Sequence, residues 1–144
     1  MFRLLHSSRT TKASLASIVR RTVPGASANV ARNVQSRSIS KVITLTDESV
    51  DKFKGGNDRA VLYYTATWCP PCKVIKPIYE ELSESYEKVA FGKVDVDDCP
   101  DAAAGANIRS VPTFVFVKDG KPVREFAGAD KKMLEDGLSE LSDM

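Results

Sequence analysis

The chain of 144 residues holds a single histidine, a single tryptophan and three cysteines. The shortage of histidine restricts the chemistry most. His6 stands near the N-terminus, so a zinc site or a Cys–His hydrolase built in the body of the chain has no imidazole to use. Uninterrupted apolar runs are also short, far below the ~20 residues a membrane-spanning helix needs. Acidic residues are missing from one whole region. Residues 1–40 carry six Arg, one Lys and no Asp or Glu, a net +7. Residues 41–144 carry 14 basic against 19 acidic side chains, a net −5. The overall +2 therefore belongs to the leader, and the mildly acidic remainder argues against a nucleic-acid surface.

Residues 1–39 read as a cleavable targeting peptide. The first forty positions include eight Ser, and Leu15, Ile18 and Val19 fall at helical spacing with Lys12, Arg20 and Arg21 on other faces. That is the composition of a cationic amphipathic transit peptide. A secretory signal needs an apolar core of roughly 7–15 residues, and Met1–Ser17 never supplies one. Arg37-Ser38-Ile39-Ser40 resembles a mitochondrial processing site. The expected address is the mitochondrial matrix; a chloroplast address and a plain N-terminal tail are the competitors. Residues 40–144 are then one compact domain.

Within that domain, Val42–Leu45 reads as a short strand, and Asp47 is placed to cap a helix running to about Lys54 before Gly55-Gly56-Asn57-Asp58 breaks it. Residues 60–66 are almost continuously apolar and β-prone, the pattern of a strand buried on both faces. They lead into Trp68-Cys69-Pro70-Pro71-Cys72-Lys73, after which Val74, Ile75, Ile78, Leu82 and Tyr86 recur at helical spacing, with Pro77 expected to kink the helix. Residues 89–96 read as a strand and 100–107 as a short helix. Residues 113–117 and 123–127 read as a hairpin turning at Lys118-Asp119-Gly120-Lys121. Met133, Leu134, Leu138 and Leu141 mark a last amphipathic helix over 130–141. The order β-α-β-α-β-α-β-β-α implies an α/β fold, a mixed central sheet of four to five strands flanked by about four helices.

The chemistry rests on Cys69 and Cys72. Cys69 falls at a helix N-terminus, where the dipole and unpaired amides favour an anion and lower a thiol pKa from ~8.5 toward ~7 or below. Cys72, one turn further, is expected on the same side and less exposed. Such a pair divides a reaction: Cys69 attacks a target disulfide and Cys72 resolves the mixed disulfide. Pro70 and Pro71 lack N–H groups, which leaves the Cys72 amide as the donor nearest the Cys69 sulfur, and they pre-set the first helical turn. Half a zinc site and a passive buried cysteine pair are the alternative readings. Zinc lacks ligands here, because beyond this pair only Cys99 and His6 remain.

With those residues in hand, Val42 to Leu141 resembles the thioredoxin family. The resemblance rests on Trp68-Cys69-x-Pro71-Cys72-Lys73, Pro77, Lys93-Val94-Asp95-Val96-Asp97, Ser110-Val111-Pro112-Thr113, Asp119-Gly120 and Phe126-Ala127-Gly128-Ala129. It implies a thioredoxin fold and a cis Val111–Pro112 bond set against the cysteines. It further implies an apolar client surface of Trp68, Pro71, Val111, Gly128 and Ala129, with Val111 offering main-chain groups to an extended segment. It also implies a monomeric protein-disulfide reductase without a bound cofactor of its own. Its expected partners are an NADPH-dependent flavin thioredoxin reductase and clients such as peroxiredoxins, with neither nucleic acid nor membrane among them.

Departures from the family pattern stand at Tyr63, at Thr65, which replaces a common family Trp, and at Pro70, and Cys99 has two readings of its own. Tyr63 occupies the position, five before Trp68, where the family usually has a buried Asp. A phenol is a poor proton acceptor near neutrality, so Lys93 or water is left to assist deprotonation of Cys72. Pro70 replaces the usual Gly, giving the C-P-P-C loop of some plant thioredoxins, tryparedoxins and nucleoredoxins. A more oxidising exchanger of that kind is one alternative, and a binding subunit without turnover is another. Cys99, in Asp97-Asp98-Cys99-Pro100, reads either as a regulatory thiol or as a small buried hydrophobe whose flanking aspartates raise its pKa.

Overall fold

The computed structural model describes residues 41–144. The readings that fall on the leader, including His6 and the processing site, lie outside the described residues. The domain is built in the order β1 (Val42–Leu45), α1 (Asp47–Gly56), β2 (Arg59–Thr65), α2 (Pro70–Ser85), β3 (Ala90–Asp95), α3 (Pro100–Gly105), β4 (Thr113–Lys118), β5 (Lys121–Ala127) and α4 (Lys131–Asp143). The five strands form one sheet in the order β1-β3-β2-β4-β5. β1 and β2 run parallel to β3, whereas β4 runs antiparallel to both β2 and β5. Asp119 and Gly120 both have positive φ (49° and 79°), the primed-turn geometry that lets β4 double back into β5.

β2 sits at the centre of the sheet, and its alternating side chains divide the core. Val61 and Tyr63, with Phe91, Phe114, Phe116 and Phe126 from neighbouring strands, meet Ile75 and Tyr79 of α2 and Leu134, Leu138 and Leu141 of α4. Ala60, Leu62 and Tyr64, with Val94, Val115 and Val117, pack on the other side with Val50 and Phe53 of α1. A strand lined by helices on both faces has to be apolar throughout, which is why residues 60–64 show no polar alternation.

Three readings from the sequence change. Thr46, not Asp47, is the N-cap of α1, and its amide donates to Ser49 Oγ at 2.8 Å. The Asp47 carboxylate instead accepts from the Ala102 amide at 2.7 Å, capping α3 from 55 residues away. Val74 is 66% exposed, because the phase of α2 is set by Ile75, Tyr79 and Leu82. Met133 likewise faces solvent at 39%, leaving Leu134, Leu138 and Leu141 as the buried stripe of α4.

Candidate active site

β2 delivers the chain to its C-terminal end and α2 begins five residues later, so the intervening segment projects from the edge of the core. Cys69 is the N-cap of α2, with extended backbone (φ −88°, ψ 108°), and Pro70 and Pro71 fill the first helical positions. The first amide able to donate is that of Cys72, and it lies 3.3 Å from Cys69 Sγ. Sulfur thus takes the place an Asp or Ser oxygen fills at an ordinary helix start, and a thiolate there gains from both the amide and the helix dipole. Cys69 and Cys72 are joined in a disulfide, with Cα atoms 5.3 Å apart. The expected difference in exposure between them is absent: each is only 2% exposed. Closing the ring turns both sulfurs inward against Ala66 and the α2/α4-side core.

The surroundings of the disulfide come from four connecting segments. Trp68 is 65% exposed, and its indole N–H donates to Asp97 Oδ2 at 2.9 Å, fixing the ring as a platform beside the cysteines. Pro70 and Pro71 are exposed next to it. The Val111–Pro112 peptide bond is cis, and the Val111 carbonyl oxygen lies 3.6 Å from Cys69 Sγ. Gly128, at φ 115°, donates its amide to Pro112 O at 2.8 Å and carries the chain past the site to the exposed Ala129. Between Trp68 and the segment Ile108–Val111 runs a shallow groove of about 160 Å³. The structure thus sets Val111 against Cys69 and Gly128 against Pro112, with Trp68 and Pro71 exposed beside the disulfide in the chain.

Behind Cys72 the structure is more specific than the sequence. Tyr63 is buried and its hydroxyl donates to the Cys72 carbonyl oxygen at 2.8 Å. Burial, followed by the charge of Glu80, raises its pKa, so the phenol is a fixed donor and not a base. Register pairs Tyr63 with Lys93 and Thr65 with Asp95 on the same sheet face. With Lys73 and Lys76 of α2 these residues line a cleft of about 220 Å³ that reaches Cys72. The roles of Asp97 and of this lysine-lined cleft were not drawn from the sequence. The Val94–Asp98 run carried the only signal, since its alternation puts Asp95 on the Tyr63 side.

Cys99 is 1% exposed and is the N-cap of α3; its thiol donates to Leu45 O at 3.4 Å. Burial first, and then Asp47 and Asp98, raise its pKa. Among the described residues, no group of three His, Cys, Asp or Glu side chains is arranged to hold a metal ion, and no helix is long and apolar enough to cross a membrane.

A dithiol at a helix start, held under a cis-proline loop on this five-stranded mixed sheet, defines an oxidoreductase that performs thiol–disulfide exchange. Residues 41–140 match the thioredoxin family model, and the chain belongs to the thioredoxin family. Human thioredoxin is 46% identical over 98 residues, covering 68% of this chain and 91% of that protein. Mitochondrial thioredoxin 3 of Saccharomyces cerevisiae, in its oxidised form, superposes with a TM-score of 0.68 at 36% identity, covering 72% of this chain and 99% of that one. A chain from a structural study of thiol resolution in the yeast mitochondrial 1-Cys peroxiredoxin, through the glutathione and thioredoxin systems, matches with a TM-score of 0.67 at 36% identity. It covers 69% of this chain and 95% of that chain.

Proposed function

We propose that this protein is a mitochondrial dithiol carrier that reduces disulfides in other proteins. The observation that carries the reading is the Cys72 amide 3.3 Å from a Cys69 sulfur that also faces the Val111 carbonyl beside exposed Trp68. In the reduced protein, the Cys69 thiolate attacks one sulfur of a client disulfide, and the other client sulfur leaves as a thiolate. Cys72, once deprotonated, attacks Cys69 Sγ; the client's second thiolate departs with the electron pair, and the Cys69–Cys72 disulfide remains. Two electrons have then passed to the client. An NADPH-dependent thioredoxin reductase returns them, and peroxiredoxin-type proteins are the clients we favour, in keeping with the yeast peroxiredoxin study among the similar structures. Residues 1–39 serve as the matrix address and are removed, leaving 40–144.

Because Tyr63 is committed to the Cys72 carbonyl, the proton leaving Cys72 passes through the lysine-lined cleft, where Lys93 favours the thiolate. Redox titration of the protein against graded dithiol buffers, read by alkylation and mass, tests the assignment. A two-thiol couple near about −270 mV supports a reductant, and one near about −180 mV makes the protein an oxidising exchanger instead. No reversible two-thiol change would discard redox turnover and leave a binding module. Cys72→Ser adds a second check, since a carrier so altered holds a disulfide client covalently through Cys69.

A further inference from the structure

The first turn of α2 has fewer intrahelical hydrogen bonds to hold it than an ordinary helix start. Pro70 and Pro71 have no N–H, and Pro77 removes the amide that would otherwise bond the Lys73 carbonyl four residues before it. Bonds from outside the helix therefore count for more at the turn that carries both cysteines. Tyr63, on the central strand β2, supplies one: its hydroxyl donates to the Cys72 carbonyl oxygen at 2.8 Å. Among the described residues this is the only hydrogen bond tying residues 70–77 to the sheet.

The donor is fixed in place. The Tyr63 ring stacks on Phe114 with centroids 5.0 Å and planes 9° apart, and it lies against Tyr79, also at 5.0 Å. Burial keeps the phenol protonated through the neutral range, so the bond persists while the thiols titrate. Cys72 is thereby gripped on both sides of its Cα, the carbonyl by Tyr63 and the N–H directed at Cys69 Sγ 3.3 Å away. An amide bonds a thiolate more strongly than a neutral sulfur, so the aim of that N–H enters the acidity of Cys69. The two prolines before it have no N–H to share the task. The Tyr63 bond uses neither sulfur, so opening the disulfide does not remove it.

We propose that Tyr63 is a positioning residue of the redox couple: by holding the Cys72 carbonyl it keeps the Cys72 N–H aimed at Cys69 Sγ and so favours the attacking thiolate. That role rests on the proposed assignment of Cys69 as nucleophile. A purely structural Tyr63 would contribute stability and leave the acidity of Cys69 untouched. Tyr79 separates the two cases. It belongs to the same aromatic layer, is likewise 1% exposed, and donates to Gly92 O at 2.8 Å and Val61 O at 3.1 Å, not to the cysteine turn.

The test uses the full reduced chain and the variants Tyr63→Phe and Tyr79→Phe, each of which removes one hydroxyl and keeps the ring. Alkylation of Cys69 by iodoacetamide is followed from pH 5 to 10 and read by peptide mass, which counts Cys72 and Cys99 apart. Tyr63→Phe should raise the Cys69 pKa by about half a unit, slowing alkylation about threefold below the pKa, with rates converging above it. Tyr79→Phe should give the native profile, although both variants lower the urea midpoint. The charged neighbours are common to all three proteins: Lys73, Lys76, Lys93 and Asp95 line the cleft beside Cys72, and Asp97 holds Trp68. In dithiol buffer above the thiol pKa, the Tyr63→Phe couple should move up to about threefold toward the disulfide, because the thiolate loses more than the disulfide does. A Tyr63→Phe profile that coincides with the native one overturns the proposal, as does an equal shift in Tyr79→Phe. Native Cys69 titrating at the ~8.5 of a free thiol would overturn it together with the nucleophile assignment, which tells the two failures apart.

Discussion

On the α2/α4 face of the sheet, Tyr63 donates to Cys72 O at 2.8 Å and Tyr79 reaches Gly92 O at 2.8 Å and Val61 O at 3.1 Å. On the α1/α3 face, the hydroxyl of Tyr64, the next residue along the same strand, has no hydrogen-bond partner among the described residues, and Tyr64 borders a cavity of about 410 Å³ between α1, the end of α3 and the β4–β5 hairpin. The first face is a continuous aromatic layer. Tyr63 stacks on Phe114 with centroids 5.0 Å apart and planes 9° apart, Phe114 stacks on Phe126 at 5.0 Å, and Tyr79 tilts against Phe91 at 5.1 Å. The second face is mostly aliphatic. The disulfide rests on the filled layer, so the backbone of Cys72 is anchored by a phenol that is itself clamped between rings. The ring stack therefore lies directly under the chemistry, and the larger of the two cavities bordered by these tyrosines is on the other side of the sheet.

The sharpest way to break that contrast is to remove one side chain from each face. Phe114→Ala takes a fully buried ring out of the stack and should cost about 3–5 kcal/mol. Val115→Ala, its neighbour on the cavity side, should cost about 1–2 kcal/mol, close to the transfer value of two methyl groups. Urea unfolding of both variants measures the difference, and equal losses would mean that the α1/α3 face is the more tightly packed per atom removed.

High pH probes the same contrast through protons. The Tyr64 pKa of about 12 in the folded protein exceeds the ~10 of an unfolded tyrosine, so the folded state holds this proton more tightly. Its contribution is complete below about pH 10 and is lost as pH rises through about 12, a fall on the order of 2–3 kcal/mol. Tyr64→Phe should remove that part of the alkaline loss and leave the part due to Tyr63 and Tyr79, whose pKa values burial also raises. Urea midpoints followed from pH 8 to 11.5 would show it. An unchanged alkaline slope in Tyr64→Phe would refute the assignment.

At neutral pH the two adjacent tyrosines should respond with different signs. Tyr63→Phe leaves the buried Cys72 carbonyl without its donor and should destabilise by about 1–3 kcal/mol. Tyr64→Phe removes a hydroxyl that has no partner and should be neutral or slightly stabilising. Tyr63→Asp goes further, placing a carboxylate behind Cys72, and should change the pH dependence of the resolving step in single-turnover kinetics. A superimposable profile would mean the cleft does not handle that proton.

Much of this architecture was legible in the sequence. The apolar run at 60–66, the helical spacing after Cys72 and the hairpin signal at Asp119-Gly120 carried the order of elements, whereas the expectation that Trp68, Val111 and Gly128 surround Cys69 came from the resemblance to the thioredoxin family. The resemblance to the thioredoxin family singled out Tyr63 as the residue behind Cys72, but the pattern of the strand itself does not separate Tyr63 from Tyr64. A strand buried on both faces carries no polar alternation, so nothing local says which tyrosine faces the cysteines. Only the phase of α2 decides it, and Val74, counted on the apolar stripe but 66% exposed, shows how easily that phase is misjudged by one position. Partners distant in sequence are also hidden: Tyr63 finds a backbone carbonyl nine residues on, and Asp47 caps a helix 55 residues away.

That distant cap supplies the smallest effect, and it bears on the third cysteine. Asp47 Oδ1 accepts from the Ala102 amide at 2.7 Å, in the first turn of the helix whose N-cap is Cys99. Removing the carboxylate in Asp47→Ala should cost about 1 kcal/mol, as loss of an N-cap does, and the loss should fall on α3. Hydrogen exchange at Ala102 and Ala103 should then quicken before that of the central strands. Cys99 gives a second readout. Its pKa is raised by burial first and by Asp47 second, so without Asp47 the thiol ionises more readily inside a helix that opens more often. Alkylation of Cys99 should accelerate about fivefold, the factor that ~1 kcal/mol of local opening supplies, and should remain far slower than that of an unfolded thiol. Native Cys99 reacting at the rate of the unfolded chain would show instead that its burial is not maintained in solution.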